Sequence, residues 1–401
     1  MKCNMSNMKI AIVSRNIAMK GGAELVARAA AISLLKAGQE VMLVHGDPLY
    51  ATEPISGAKD FYLEGLNTSF TQDEGTSKAI LNLALKEKPD LIDFHLVAPF
   101  GDPKTIAEIA KIFPVTFTVH THCLSCPGYF RFLGATDKIC EYNFSPLCFW
   151  FAHSQKCSFL VRKSLGRWLR VYRSRAVAKK VKRLIVLNAY MADALIKAGF
   201  KTGQISIVPP ALSGEISKNS AGARSEGTIL FVGRISEEKG IELLFQASRY
   251  IAARHRIVVV GDGPLMPDIK EFGRKQGICA DYAGWVSYPE LAKFFAAANV
   301  FVFPSRCAET SGLVGLEAMR FGLPAVAFAV GGISSWLEDG GNGFLARPFD
   351  VKDLAKKIDL LLGDRELSKK MGENARRMVL NKFDATSHID NLTRAYEDAL
   401  R

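Results

Sequence analysis

The stretch FPSRCAETSGLVGLEAMRFG, Phe303 to Gly322, decides the fold and carries the chemistry. The apolar run Asn299–Pro304 that leads into it reads as a buried strand, and Gly312–Phe321 reads as a helix. Glu309 and Glu317 stand there with seven residues between them. The first falls on the loop at the carboxyl end of the strand and the second inside the helix. Between them, the helix start leaves backbone N–H groups without intrahelical partners, which suits an anion. Ser311 is placed to cap this helix, leaving the Gly312 and Leu313 amides for a phosphate. Carboxylates for hydroxyls beside amides for phosphate meet the needs of a nucleotide-sugar site. Glu317 also has a plainer reading, as a surface carboxylate paired with Arg320.

The same alternation of strand and helix extends outward in both directions. Thr228–Val232 reads as a strand, Gly240–Ala252 as a helix, and Arg256–Val260 and Leu323–Phe328 as further strands. Upstream, Lys9–Ser14, Glu40–His45, Asp90–His95, Pro114–His120, Leu184–Leu187 and Ile205–Val208 read as strands, and Gly22–Lys36 as an amphipathic helix closed by Gly38. Short apolar strands between helices imply doubly wound parallel sheets, an α/β fold. Pro209–Gly227, rich in Pro, Gly and Ser, interrupts the pattern as a linker. The chain of 401 residues is long enough for two full cores. Two Rossmann-like halves are therefore expected, 1–210 and 211–385, facing a cleft, with the last helix, 386–401, lying across both.

Composition is that of a globular protein, with 48% apolar and 23% charged residues. Met1–Asn7 is short and polar, unlike a signal peptide, and no segment approaches the ~20 apolar residues of a membrane span. A cytoplasmic protein is expected. The net charge of +12 is concentrated: no Asp or Glu occurs from Tyr142 to Ala192. That window holds Lys156, Arg162, Lys163, Arg167, Arg170, Arg173, Arg175, Lys179, Lys180, Lys182 and Arg183, interleaved with Trp150, Phe151, Phe159, Trp168 and Tyr172. On a helix, Phe159, Arg162, Leu165, Trp168 and Tyr172 share one side. A basic helix with aromatic anchors, about 156–183, suggests contact with anionic lipid at the inner face of the membrane. The plainer reading is a solvated basic face packed on its own domain. No nucleic-acid-binding motif accompanies the charge, so nucleic acid is not expected as a partner.

Five of the eight cysteines fall between Cys123 and Cys157. Cys126, Cys140, Cys148 and Cys157, with His122 and His153 nearby, admit a structural zinc site. The close paired spacings of common zinc modules are missing, and buried reduced thiols are the other reading.

Several further residues fall at the carboxyl edges of the predicted sheets, where open α/β sheets bind ligands. Arg234 and Lys239 flank one such loop, and two cations there suit a diphosphate. Taken alone, they also read as a surface loop paired to Glu237 and Glu238. Gly261, in VGDGP, and Gly21-Gly22, joining the first strand to the first helix, let a ligand approach backbone closely. His120 ends the strand Val115–Val119 and serves either as a ligand contact or as a satisfied structural residue.

Taken together, KGGAE (Lys20–Glu24), VGRISEEKG (Val232–Gly240), VGDGP (Val260–Pro264), PSRCAETSGLVGLEAMRFGLP (Pro304–Pro324) and GGISSWLEDGGNGFL (Gly331–Leu345) resemble the retaining family-four glycosyltransferases of GT-B architecture. VLNAYMADALIKAGF (Val186–Phe200) resembles the segment before the interdomain loop, so nearly the whole chain is covered. The resemblance implies that Arg234 and Lys239 hold the donor diphosphate, that Glu309 binds hydroxyls of the transferred sugar, and that Glu317 binds the ribose. Backbone at Ser311, Gly312 and Leu313 meets the phosphate, Gly261 belongs to the donor site, and Gly21, Gly22 and His120 face the acceptor and the transferred sugar. The first half then binds the acceptor, with 121–183 as an insertion, and the second binds a nucleotide-diphosphate sugar. No D-x-D triplet occurs, so neither a catalytic metal nor another cofactor is expected. A lipid-linked acceptor for cell-surface polysaccharide or glycolipid synthesis is the working expectation. A nucleotide-sugar epimerase of similar architecture and a non-catalytic membrane-binding scaffold are the alternatives.

Overall fold

The computed structural model describes residues 7–17, 21–46, 54–66, 74–96, 103–154, 157, 164–212 and 225–401. Lys20, Lys156, Phe159, Arg162, Lys163 and most of the linker lie outside the described residues. The first half carries β1 (Lys9–Ser14), β2 (Glu40–His45), β3 (Lys59–Tyr62), β4 (Leu91–Leu96) and β5 (Val115–Val119). A two-stranded antiparallel hairpin follows, β6 (Phe132–Leu133) with β7 (Lys138–Ile139), then β8 (Arg183–Val186) and β9 (Ile205–Ile207). Apart from the hairpin these strands form one parallel sheet in the order β3-β2-β1-β4-β5-β8-β9. The second half repeats the plan with β10 (Thr228–Val232), β11 (Arg256–Val260), β12 (Ala280–Gly284), β13 (Val300–Phe303), β14 (Ala325–Phe328) and β15 (Gly343–Ala346), ordered β12-β11-β10-β13-β14-β15.

Both sheets are doubly wound, and in each the strand order reverses beside its first strand: between β1 and β4, and between β10 and β13. Such a reversal leaves a crevice outside the carboxyl ends of the strands, where ligands bind in this class. The central strands are near-continuous apolar runs because helices cover both faces; β10 and β13 are buried along their whole length. Strands β3 and β12, at the sheet edges, are half-exposed and polar on one face, which is why the apolar pattern alone does not mark them.

Two helices depart from the sequence reading. The helix expected over Gly240–Ala252 runs only from Ile241 to Ser248. Beyond it, the Ala252 and Ala253 amides donate to Asp359 at 3.0 Å instead of continuing a helical ladder. The last helix, Ala385–Leu400, is capped by Asp384, whose carboxylate accepts from the Thr386 and Ser387 amides. Rather than spanning both halves, it returns to the first: Leu392, Ala395, Tyr396 and Ala399 pack with Ile10, Ile12 and Leu34. The preceding helix, Arg365–Lys382, lies against Leu313–Arg320 in the second half.

Candidate functional site

The two crevices face each other and enclose a cleft of about 610 Å³, within the range of small-molecule sites. Gly21, Gly22, His120 and Thr121 line it from the first half; Arg234, Lys239, Gly261, Glu309, Ser311, Gly312, Leu313 and Glu317 line it from the second. Every cleft residue singled out from the sequence thus borders one space, although they span almost 300 residues of chain.

Lys239 and Glu309 form the charged centre of the second wall. Lys239 Nζ donates to Glu309 Oε1 at 2.7 Å, and the same oxygen accepts from Ser305 Oγ at 2.6 Å. Glu309 is only 7% exposed, because the loop after β13 folds inward and is pinned there by bonds from Ser305 and Arg306 to the Glu238 carbonyl. Burial acts to lower the Lys239 pKa, but the Glu309 carboxylate outweighs it and the ammonium is held above its ordinary range. The pairing of Lys239 with Glu237 or Glu238 is therefore not the one formed. Arg234 is exposed at the cleft, and its guanidinium makes no ion pair with a described carboxylate.

The helix Leu313–Arg320 opens without a side-chain cap. Its N-cap is Gly312, at φ 68°, not Ser311 as expected; a side chain there would strain the left-handed backbone and press on Ile333 and Phe303. The Ser311 carbonyl instead accepts from Trp336 Nε1 at 2.6 Å. Leu313 and Val314 of the first turn line the cleft, the helix start has no side-chain cap, and the helix dipole adds partial positive charge. Glu317, one turn on, is buried rather than surface-facing. Burial is the main influence that raises its carboxyl pKa to about 7, opposed by a hydrogen bond with Tyr288 and the charge of Arg320.

Gly261 is fixed by packing as much as by any ligand. A Cβ on it would come within 1.9 Å of the Gly233 carbonyl, and its φ is 129°. Opposite, Gly22 lies against Leu313, whose Cδ1 would be 3.3 Å from a Cβ at that position. His120 is both a cleft residue and a satisfied one: its Nε2 lies 2.9 Å from His95 Nδ1. Trp285 and Tyr288, also in the cleft wall, are residues the sequence reading missed. They follow Gly284 at the carboxyl end of the overlooked β12, and an aromatic pair just past a strand-ending glycine was the available signal.

The halves are clasped by the loop after β13. Asn188 Nδ2 donates to the Thr310 carbonyl at 2.5 Å and His122 Nε2 to the Ala308 carbonyl at 3.1 Å. The Ala308 amide donates to the Phe130 carbonyl at 3.0 Å, and Arg306 pairs with Asp137 of the hairpin turn. Burial, then the charge of Arg131, lowers the His122 pKa to about 3, so its ring is neutral and donates through Nε2.

The cysteines of the insertion are free thiols. Cys126, Cys140, Cys148 and Cys157 lie near enough to influence one another electrostatically, and burial followed by neighbouring thiols pushes Cys140 to about 11 and Cys157 to about 12. Among the described residues, no three or more His, Cys, Asp or Glu side chains are placed to hold a metal ion. Cys148 Sγ donates to the Asn143 carbonyl, and His122 is committed to Ala308.

In the basic segment, the helix Leu147–Ser154 exposes Leu147, Phe149 and Trp150, the last 65% exposed. The helix Ser164–Ala178 stacks Trp168 between Phe144 and Tyr172. Arg175 does not belong to the basic surface: it is buried, donating to the Leu124 and Ala198 carbonyls. Arg183 pairs with Asp398. Arg173, Lys179, Lys180 and Lys182 remain exposed. No described helix is long and apolar enough to cross a membrane.

Two family models meet end to end along the chain: Glycosyltransferase Family 4 over residues 20–213 and Glycosyl transferases group 1 over residues 214–378. The sulfoquinovosyl transferase SQD2 of Arabidopsis thaliana is 33% identical over 328 residues, 79% of this chain and 58% of its own. The chain spans about half the length of several curated relatives it matches. Among solved structures, the sucrose-phosphate synthase of Thermosynechococcus elongatus superposes with a TM-score of 0.77 at 22% identity over 98% of both chains. HepE of Anabaena, in complex with UDP-glucose, gives a TM-score of 0.69 at 18% identity over 97% of this chain and 99% of its own. The matched models, the paired doubly wound sheets and the cleft between them place the chain in the family-four glycosyltransferases, with the GT-B fold.

Proposed function

We propose that this chain is a glycosyltransferase that moves a sugar, with retention of configuration, from a nucleotide-diphosphate sugar to a glycan or lipid-linked acceptor. The observation that carries this reading is the second cleft wall: Arg234, Lys239 and the uncapped helix start at Leu313 beside the carboxylates of Glu309 and Glu317. Two cations and oriented amides match a diphosphate. Glu309, with its partners gathered on Oε1, offers Oε2 to a sugar hydroxyl. Glu317 serves the ribose. Charge that develops on the departing diphosphate is stabilised in place by these groups, without a divalent metal or an enzyme nucleophile, and a leaving phosphate oxygen takes the acceptor's proton. Donor then binds in 211–385 and acceptor against 1–210, at Gly21, Gly22 and His120. HepE was crystallised with UDP-glucose, which supports a nucleotide sugar in this cleft.

Cell-surface polysaccharide or glycolipid is the proposed product class, in line with relatives named for capsule and lipopolysaccharide synthesis. The exposed aromatics of Leu147–Ser154 and the lysines at 179, 180 and 182 would hold the enzyme on an anionic cytoplasmic membrane face. The deciding experiment is a thermal-shift screen with UDP, GDP and ADP and their sugar conjugates, followed by hydrolysis or transfer assays. Selective stabilisation by one nucleotide is expected; no stabilisation by any of them would remove the donor-site reading.

A further inference from the structure

Behind His120 lies a buried polar chain that sugar transfer, as outlined, leaves unexplained. Asp93 and His95 project from one face of β4, and Thr118 and His120 from the adjoining face at β5. Tyr396 enters from the last helix. All five are at most 5% exposed. Thr118 Oγ1 donates to Asp93 Oδ2 at 2.8 Å, and Tyr396 Oη donates to the same oxygen at 2.8 Å. His95 Nε2 lies 3.4 Å from Asp93 Oδ2, and His95 Nδ1 lies 2.9 Å from His120 Nε2.

The direction of this chain follows from the carboxylate. Burial is the largest influence on Asp93 and would raise its pKa, but the close contact with His95 and the hydrogen bonds from Thr118 and Tyr396 outweigh it and hold the group below its ordinary range. An ionised carboxylate only accepts, so the His95 nitrogen that faces it, Nε2, carries a hydrogen. A His95 ring that carries its one hydrogen at Nε2 has a lone pair at Nδ1, which accepts from His120 Nε2–H. Burial is the largest influence that lowers the His120 pKa and keeps its ring neutral. Its remaining nitrogen, Nδ1, is a lone pair.

We propose that Asp93 and His95 are positioning residues that fix His120 as its Nε2–H tautomer, so that it meets the transferred sugar as a hydrogen-bond acceptor, with Tyr396 holding the setting from the last helix. This rests on the glycosyltransferase reading for the identity of the ligand, but the tautomer itself does not. The sugar group next to His120 is accordingly a hydroxyl donor, and a donor sugar deoxygenated at that carbon is a poor substrate. Asp93→Asn keeps shape and volume but supplies an amide N–H toward His95 Nε2, which reverses every bond down to His120.

The test is nitrogen NMR of histidine-labelled protein without ligand, with the His120 signals assigned by their loss in His120→Gln. The expected result is a protonated Nε2 and an unprotonated Nδ1; a protonated Nδ1 in the wild-type chain overturns the proposal. This outcome is read whether or not the chain transfers sugar, so it separates from failure of the functional reading. In Asp93→Asn the Nδ1 signal is expected to move to the protonated position, with kcat down by about tenfold or more and donor KM within about twofold. Wild-type kcat in a folded Asp93→Asn chain also overturns it. Tyr396→Phe, which removes one donor and leaves the direction intact, is expected to keep the wild-type tautomer and lose less than about fivefold in kcat; a flipped tautomer there would sink the assigned direction.

Discussion

The two walls of the cleft are built by different means. The second-half wall is compact: short loops leave fully buried strands, and glycines at 261 and 312 are each dictated by backbone that lies against them or by a left-handed φ. Its functional side chains lie on the loops after β10 and β13 and on the helix that follows β13. The first-half wall is thinner. Two glycines and His120 supply it with Ala23, Leu25, Thr121 and Leu187, and the insertion after β5, whose hairpin strands are two residues long and whose surface is basic and aromatic, adds little beyond Thr121 to the described lining. The difference teaches where this fold spends rigidity: the wall that would hold a charged, transferable group is overdetermined, while the wall proposed to face the acceptor is loosely built and clasped across at Ala308 and Thr310.

The largest effect that would break this comparison is expected at the rigid wall. Lys239→Ala or Glu309→Ala should lower sugar transfer by about 100-fold or more, with circular dichroism unchanged; wild-type turnover in either folded variant would remove the basis of the site. Glu317 offers a pH test. Its carboxyl titrates near 7 in the folded chain against an ordinary value of 4.5, so the folded state binds the extra proton between those values. Stability therefore falls as pH rises from about 4.5 to about 7, by about 3 kcal/mol. Glu317→Gln should flatten that slope in denaturant titrations and weaken nucleotide binding together; an unchanged slope would count against the buried carboxyl. Gly261→Ala should cost about 2 kcal/mol from its φ of 129° and the contact with Gly233, read as a lowered melting temperature. The smallest effect belongs to the looser wall. Reversing Lys179, Lys180 and Lys182 to Glu should weaken binding to vesicles containing anionic lipid by about tenfold or more at low salt, while leaving transfer to a soluble acceptor within about twofold. Equal binding of the wild type to neutral vesicles would remove the electrostatic part.

Much of this was legible in order along the chain. Apolar strands between helices announced two parallel sheets, and the carboxyl-edge rule selected Arg234, Lys239, Glu309, His120 and the glycines from sequence. What periodicity missed were half-exposed edge strands such as β12, and with it Trp285 and Tyr288 beyond its end. Charge counting erred in the other direction at Arg175, whose basic neighbours hide that it spends its hydrogen bonds on buried carbonyls. The capping role assigned to Ser311 failed because a glycine one residue later turns left-handed.

By itself the sequence determined the class of fold, the position of each loop at a sheet edge, and the kinds of group that border the cleft, because backbone periodicity and turn chemistry are local. Only the tertiary structure decided which of those groups touch. It paired Lys239 with Glu309 across 70 positions, buried Glu317, and strung Asp93, His95 and His120 to Tyr396 across 303. Such partnerships depend on burial and on distances between remote segments, and no local pattern of residues records either.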